Sequence, residues 1–202
     1  MIVKNLKSLV VFILAISLFS MSCNDDDTTV GNQFGIFTVL SDNTTIEMNG
    51  TINSNSLDNF NDLTNSYPSV NAINIKNCDG SSDDEVNLQL AQVVYQRQMA
   101  IHLMDDGLIA SGGTDFFLAG KTRTKGNNTR IGVHSWSDGT SEATDFPVGH
   151  ANHLPYINYY VSVGFTQQEA EDFYYFTINA APAASIHWMT EQEIEQYNLL
   201  AQ

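Results

Sequence analysis

The chain has 202 residues, with 23 Asp and Glu against 8 Lys and Arg, a formal net charge of −15. A surface this acidic repels phosphate backbones and anionic lipid, so nucleic acid and a charged membrane surface are excluded as partners. Its two cysteines, Cys23 and Cys78, are too few for a cysteine metal cluster.

The N-terminus reads MIVKNLKSLVVFILAISLFSMSCNDDD. Lys4 and Lys7 precede an apolar run, Leu9 to Phe19, broken only by Ser17. The run is short for a membrane span, and basic, apolar and small residues follow in the order of a secretory signal. Cys23 directly after it resembles the cysteine of a bacterial lipobox, with Ser20 where leucine is commoner. The resemblance implies a signal peptide over 1–22 and a mature chain acylated at Cys23. The simpler alternatives are an N-terminal anchor or an ordinary cleaved signal. Asn24 to Asp27 resembles the surface-export signal of lipoproteins in the Bacteroidota, and Asp27-Thr28-Thr29 the short O-glycosylation motif of that phylum. A plain solvated tether is the alternative for this acidic stretch. Residues 23–33 are read as a flexible acidic tether, and 34–202 as one domain in the cell envelope, lipid-anchored to the outer membrane and facing the surface. From Cys23 onward six basic residues face 23 acidic ones, a net charge of −17, so the lipid alone would hold the chain to the membrane. With Cys23 acylated, Cys78 has no partner for an internal disulfide, and stability rests on burial. About 170 residues suffice for one domain burying roughly 70% of its unfolded surface.

FGIFTVL and TTIEMNG read as two strands joined at Ser41-Asp42-Asn43. Leu57, Phe60 and Leu63 repeat at helical spacing between Ser54 and Thr64, and Tyr67-Pro68 ends that helix. A strand over Ala72 to Lys76 runs into the turn Asn77-Cys78-Asp79-Gly80. A helix follows from Val86 to about Arg97, its first turn charged by Asp83, Asp84 and Glu85. MAIHLM is a buried strand that Asp105-Asp106-Gly107 is expected to break. Phe116, Phe117 and Leu118 mark a short helix after Ser111, and Arg130 to His134 a strand. Ser135 to Asn152 is a polar loop placed to cover a site. From Pro155 the chain is helical, and Thr166-x-x-Glu169 and Thr190-x-x-Glu193 both fit the capping box. Strands alternating with helices predict an α/β fold with a mostly parallel sheet.

One constellation carries chemistry. Ser111 lies among Ala110, Gly112 and Gly113, where a strand meets a helix N-terminus. His134 ends a strand, where α/β sites tend to form. A serine needs a base to take its proton and N–H donors to hold the oxyanion, so the pair points to acyl transfer. Gly112 would supply one donor, and the turn at Asp79-Gly80-Ser81 another. A structural serine among small residues is the bland alternative.

These segments resemble the ClpP/crotonase superfamily from about Thr45 to Leu200, most closely its periplasmic ClpP-like members. TTIEMNGTI resembles the opening strand and glycine, and INIKNCDGSS the strand and Asn-Ser-Pro-Gly-Gly turn. LIASGGTDFFLAG resembles the nucleophile segment, NNTRIGVHSW the segment carrying the base, and IHWMTEQEIEQYNLL the Phe-Met-Ser helix near the end of the fold. The resemblance implies a ββα superhelix with helices flanking a mostly parallel sheet. It implies a serine hydrolase, by family a peptidase, with Ser111 as nucleophile and His134 as base. Gly80, Ser81 and Gly112 fall on the oxyanion and substrate-binding positions, although Ser81 stands where the family keeps glycine. The family's acid precedes the Phe-Met-Ser motif, and here NAAPAASIH offers no carboxylate, leaving Asn179 or Ser185 to orient the imidazole. The alternative is a non-catalytic member that binds a ligand or partner in the same cleft. The expected partner is a small-molecule or peptide substrate. The superfamily often forms trimers or rings, which leaves a homo-oligomer open.

No cofactor and no metal is expected. His150-x-x-His153 lacks further ligands. His102 reads as a strand histidine with a backbone partner, and Tyr156, Tyr159, Tyr160, Tyr174 and Tyr175 as helix packing with room for one in a pocket. Lys121, Arg123, Lys125 and Arg130 concentrate the positive charge, either solvated or attracting an anionic group.

Overall fold

The computed structural model describes residues 31–202. The signal segment, Cys23 and the acidic triplet lie outside them. Among the described residues no helix is long and apolar enough to cross a membrane.

The chain opens on an antiparallel edge, β1 (Gln33–Phe34), β2 (Phe37–Val39) and β3 (Thr45–Asn49), with Phe37 opposite Met48. Asp42 fixes the turn between β2 and β3, its Oδ1 accepting the N–H of Thr44 and of Thr45, each at 2.9 Å. Helix α1 (Ser56–Ser66) buries Phe60 and Leu63, as its spacing predicts. Strand β4 (Ala72–Cys78) then runs parallel to β3 and buries Ile73, Ile75 and Cys78. Helix α2 (Asp84–Gln96) begins at Asp83, whose carboxylate accepts from Val86 N–H at 3.1 Å and from Ser54 Oγ at 2.6 Å.

Strand β5 (Ala100–Ala110) corrects one expectation. Asp105-Asp106-Gly107 does not break it. Ile75 pairs with Leu103 and Asn77 with Leu108, so Met104 to Gly107 bulge out opposite Lys76, and the strand resumes in register. This extra length gives β5 two partners on one edge. Strand β6 (Thr122–Lys125) pairs with its first half and β7 (Arg130–Val133) with its second, both parallel. Helix α3 (Gly112–Phe117) follows β5 directly and precedes β6.

The C-terminal half is mainly helical. It holds helices α4 (Leu154–Ser162), α5 (Gln167–Ala180) and α6 (Glu191–Gln196), with β8 (His187–Trp188) between α5 and α6 pairing antiparallel with β7. Both capping boxes form: Thr166 with Glu169, and Thr190 with Glu193. The sheet order is β1-β2-β3-β4-β5-β7-β8, with β6 beside β5, and the helices pack around it over one apolar core. This is the α/β, mostly parallel architecture expected from the sequence.

The cationic segment is not a uniform solvated patch. Arg123 is 8% exposed, and its guanidinium donates to the carbonyls of Leu118, Gly120, Asn198 and Leu199. Its backbone pairs with Ala201. Lys125 meets Glu191 at 2.8 Å, and Arg130 lies 3.7 Å from the centre of the Trp188 ring. His102 Nδ1 hydrogen-bonds the Thr124 hydroxyl at 2.8 Å, a side-chain partner on β6 and not the backbone expected. Cys78 is buried, and burial pushes its thiol up to about 12. It is an inert packing residue.

Candidate active site

Ser111 is the turn residue between β5 and α3. Its φ is +53°, a conformation that a residue with a Cβ rarely adopts and that neighbouring bonds must hold. Three contacts hold it. Ser111 N–H donates to Gly132 O at 3.0 Å, and Thr114 Oγ1 donates to the same carbonyl at 2.8 Å. Asn87 Nδ2 of α2 donates to Gly112 O at 2.9 Å. The turn is thereby tied to β7, two residues before His134. Gly113 packs so closely on the Cys78 carbonyl that any Cβ would collide with it. Gly80, with φ +153°, also sits against the serine: a Cβ there would lie 3.4 Å from Ser111 Cβ. Glycine at 80 keeps the space over the hydroxyl open.

Ser111, Gly112 and His134 line one narrow pocket of about 40 Å³. No hydrogen bond joins Ser111 Oγ to His134. The imidazole Nδ1 is buried without a partner, so nothing fixes its tautomer from behind. Ser81 turns its hydroxyl onto Asp84 Oδ1, and its side chain covers Gly112, where a Cβ would collide with it. The N–H groups of Ser81 and Gly112 form no hydrogen bond within the described chain, which leaves both donors free, as an oxyanion hole requires.

No family model matches the chain, and no curated protein matches it in sequence. Solved structures do match. ClpP1 from Listeria monocytogenes aligns at a TM-score of 0.52 and 16% identity, over 79% of this chain and 89% of that one. A point mutant of that protein aligns at the same TM-score and identity. The fold is ClpP-like. A membrane protease from Pyrococcus horikoshii, 1510-N, specific for a stomatin homolog, aligns at a TM-score of 0.48 and 17% identity, over 78% of this chain and 70% of that one.

Within this ClpP-like fold the sequence candidates separate into two groups. Gly80, Ser81, Ser111, Gly112 and His134 are gathered at one end of the parallel strands. Asn179 and Ser185 are not brought to them. Asn179 is exposed at the end of α5 and donates its amide to Tyr175 O at 2.6 Å. Ser185 is exposed in the turn before β8, its N–H on Pro182 O. Neither lines the pocket or touches the imidazole: in the last turn of α5 Thr177 and Ile178 face inward and line the pocket while Asn179 faces solvent, and Ser185 lies beyond the helix.

Two carboxylates that sequence reasoning missed line the pocket, Asp84 and Asp115, beside Thr114, Trp136, Tyr156, Tyr160 and Tyr174. Sequence position alone groups Asp84 with the charged first turn of α2. Only Asp83 caps that helix, whereas Asp84 Oδ2 accepts from Tyr156 Oη at 2.7 Å. Asp115 Oδ1 accepts from Tyr160 Oη at 2.6 Å. Burial pushes the Asp115 carboxyl up to about 7; the Tyr160 hydrogen bond opposes this and the nearby charge of Asp84 adds to it. The signal was present in the sequence: a carboxylate inside the apolar run TDFFLA is out of place in a core helix. Three tyrosines read as helix packing, Tyr156, Tyr160 and Tyr174, line the pocket as well as packing.

The loop after His134 closes one wall. Trp136 Nε1 donates to Tyr174 Oη at 2.9 Å, and that hydroxyl lies 2.7 Å from Nδ1 of His153, a fully buried residue. His153 Nε2 lies 3.3 and 3.1 Å from the carbonyls of Phe146 and Pro147. With Tyr174 Oη donating to Nδ1, His153 is the Nε2–H tautomer and pins the loop down. His150 stacks on Phe146, and its Nδ1 accepts from Asn152 N–H at 3.2 Å. Both histidines are built into the loop. Among the described residues no group of three or more His, Cys, Asp or Glu is placed to hold a metal.

Proposed function

We propose that the chain is a lipid-anchored serine hydrolase, acting on a peptide, with Ser111 as nucleophile and His134 as general base. His134 takes the proton as Ser111 Oγ attacks the substrate carbonyl. The N–H groups at Gly112 and at the Gly80–Ser81 turn receive the oxyanion; on its collapse the C–N bond breaks and the amine leaves with the proton held by His134, and His134 then takes a proton from the water that attacks the acyl-enzyme, freeing the acid and Ser111. The observation that carries this reading is the strained Ser111 backbone at a strand-to-helix turn. It presents the hydroxyl to a pocket shared with His134 and kept open by Gly80. A fluorophosphonate probe tests it. The wild-type protein is expected to form a covalent adduct at Ser111, seen as a mass increase on the Ser111 peptide. Ser111→Ala should abolish labelling, and labelling that survives this change refutes the assignment.

A non-catalytic role for the same cleft is the second reading. What favours it is the His134 ring, with no acceptor on Nδ1 and no hydrogen bond to Ser111. Wild-type protein that stays unlabelled under the same probe would establish it.

The lipid anchor is proposed from the N-terminal sequence. Cys23→Ser is expected to remove palmitate incorporation and to release the protein from membranes. Incorporation that persists in the variant rules out acylation at Cys23.

A further inference from the structure

The pocket beside Ser111 is negatively charged and lined by no Lys or Arg. Asp84 has both carboxylate oxygens engaged, by Ser81 and by Tyr156. Asp115 is different. One oxygen accepts from Tyr160; the other accepts nothing from the protein. Ion pairs among the described residues join Lys125 to Glu191 and His187 to Glu193, so neither pocket carboxylate has a cationic partner. Asp115 is half-buried in the pocket lining, so its second oxygen is open to a ligand, and a cation placed there would be attracted more strongly than in bulk water.

Resting on Ser111 as the nucleophile, we propose that Asp115 is the specificity determinant of this cleft and selects a lysine side chain on the substrate residue seated in the pocket. Three features agree on a primary ammonium. Asp115 lies on α3, four residues on from Ser111, and lines the same pocket. A residue with its carbonyl at Ser111 Oγ therefore needs a long, thin side chain to reach the carboxylate, and the four-carbon stem of lysine is one. The pocket is narrow, with room at its base for about three waters in about 40 Å³, which suits a thin side chain better than a broad one. The rings of Tyr156, Tyr160 and Tyr174 wall the cavity, and tyrosine faces attract cations. Asp84 adds attraction, and the one basic side chain in the lining, His134, stands beside Ser111.

The test uses peptidyl diphenyl phosphonates, which serine hydrolases accept as covalent probes, beside a plain fluorophosphonate. One phosphonate carries a lysine side chain, a second its norleucine counterpart, and a third norleucine with a free α-amine. The lysine probe is expected to react about 10- to 100-fold faster than the norleucine probe with wild-type protein, the range for a hydrogen bond to a charged group. Asp115→Asn, which keeps an oxygen for Tyr160, should bring that ratio to near one. Equal rates in the wild type, with the plain probe still labelling Ser111, overturn the specificity and leave the hydrolase reading standing. A faster third probe overturns the side-chain assignment in favour of a terminal amine. If no probe labels, the hydrolase reading fails, and a titration with butylammonium decides Asp115 by itself. Saturable NMR shifts at pocket residues, absent with 1-butanol and absent in Asp115→Asn, support the ammonium site, and their absence in the wild type overturns it.

Discussion

His134→Ala slows fluorophosphonate labelling of Ser111 by on the order of 10²–10⁴-fold, the loss typical of removing a general base. A neutral serine hydroxyl is a poor nucleophile. The strain at Ser111 aims Oγ but does nothing to remove its proton. The turn itself should survive the change, because it is held by Gly132 O, Thr114 and Asn87 and not by the imidazole. Labelling rates for both proteins, read beside their far-ultraviolet circular dichroism, check this. A rate in His134→Ala within threefold of wild type would remove His134 from the chemistry. Asn179→Ala and Ser185→Ala should leave the rate unchanged, since neither residue reaches the pocket.

Asp115→Asn should stabilise the protein at alkaline pH, with little gain at pH 4. An aspartate titrates near 3.9 when unfolded, and Asp115 titrates near 7 in the folded chain. Between these values the native state holds a proton that the unfolded state has lost. Stability attributable to this group therefore falls as pH rises from about 4 to about 7, and the loss is complete above that. Three pH units correspond to about 4 kcal/mol, an upper bound for the difference between variant and wild type at pH 8. Carboxylates held low act in the opposite sense, as at Asp42, brought to about 2 first by the Thr44 N–H. They are common to both proteins and cancel in the difference. Urea denaturation of both proteins at pH 5 and pH 8 measures it. A difference that does not widen with pH would show an ordinary Asp115 carboxyl.

Much of the fold was legible because its signals are local. The spacing of Phe60 and Leu63 gave α1, and two capping boxes gave the starts of α5 and α6. The parts that were not legible depend on partners distant in sequence. Thr122 to Lys125 carries no strand signal of its own, and becomes strand β6 because the bulge at Met104–Gly107 lengthens β5 and frees an edge for it. His187-Trp188 is a strand only because β7 lies beside it. The site divides the same way. Ser111, Gly112 and Gly80 were legible from turn chemistry, and His134 from its place at a strand end. Asp84 was not, and Asp115 shows only as a carboxylate in an apolar run, since their partners are tyrosines 72 and 45 residues away. The position of Asn179 depends on which face α5 buries at its last turn, which helical spacing alone does not fix.

The Arg123 guanidinium also bears on when the domain becomes complete. Its acceptor at Asn198 is 75 residues further along the chain, and that at Leu199 is 76. In a polypeptide synthesised from the N-terminus, β6 is made long before these carbonyls exist. Until residue 199 has emerged, the guanidinium has only the carbonyls of Leu118 and Gly120, and water must satisfy its remaining donors. Closure of the C-terminal segment onto β6 is therefore a late event, and a fragment ending before Asn198 should be less stable than the full domain.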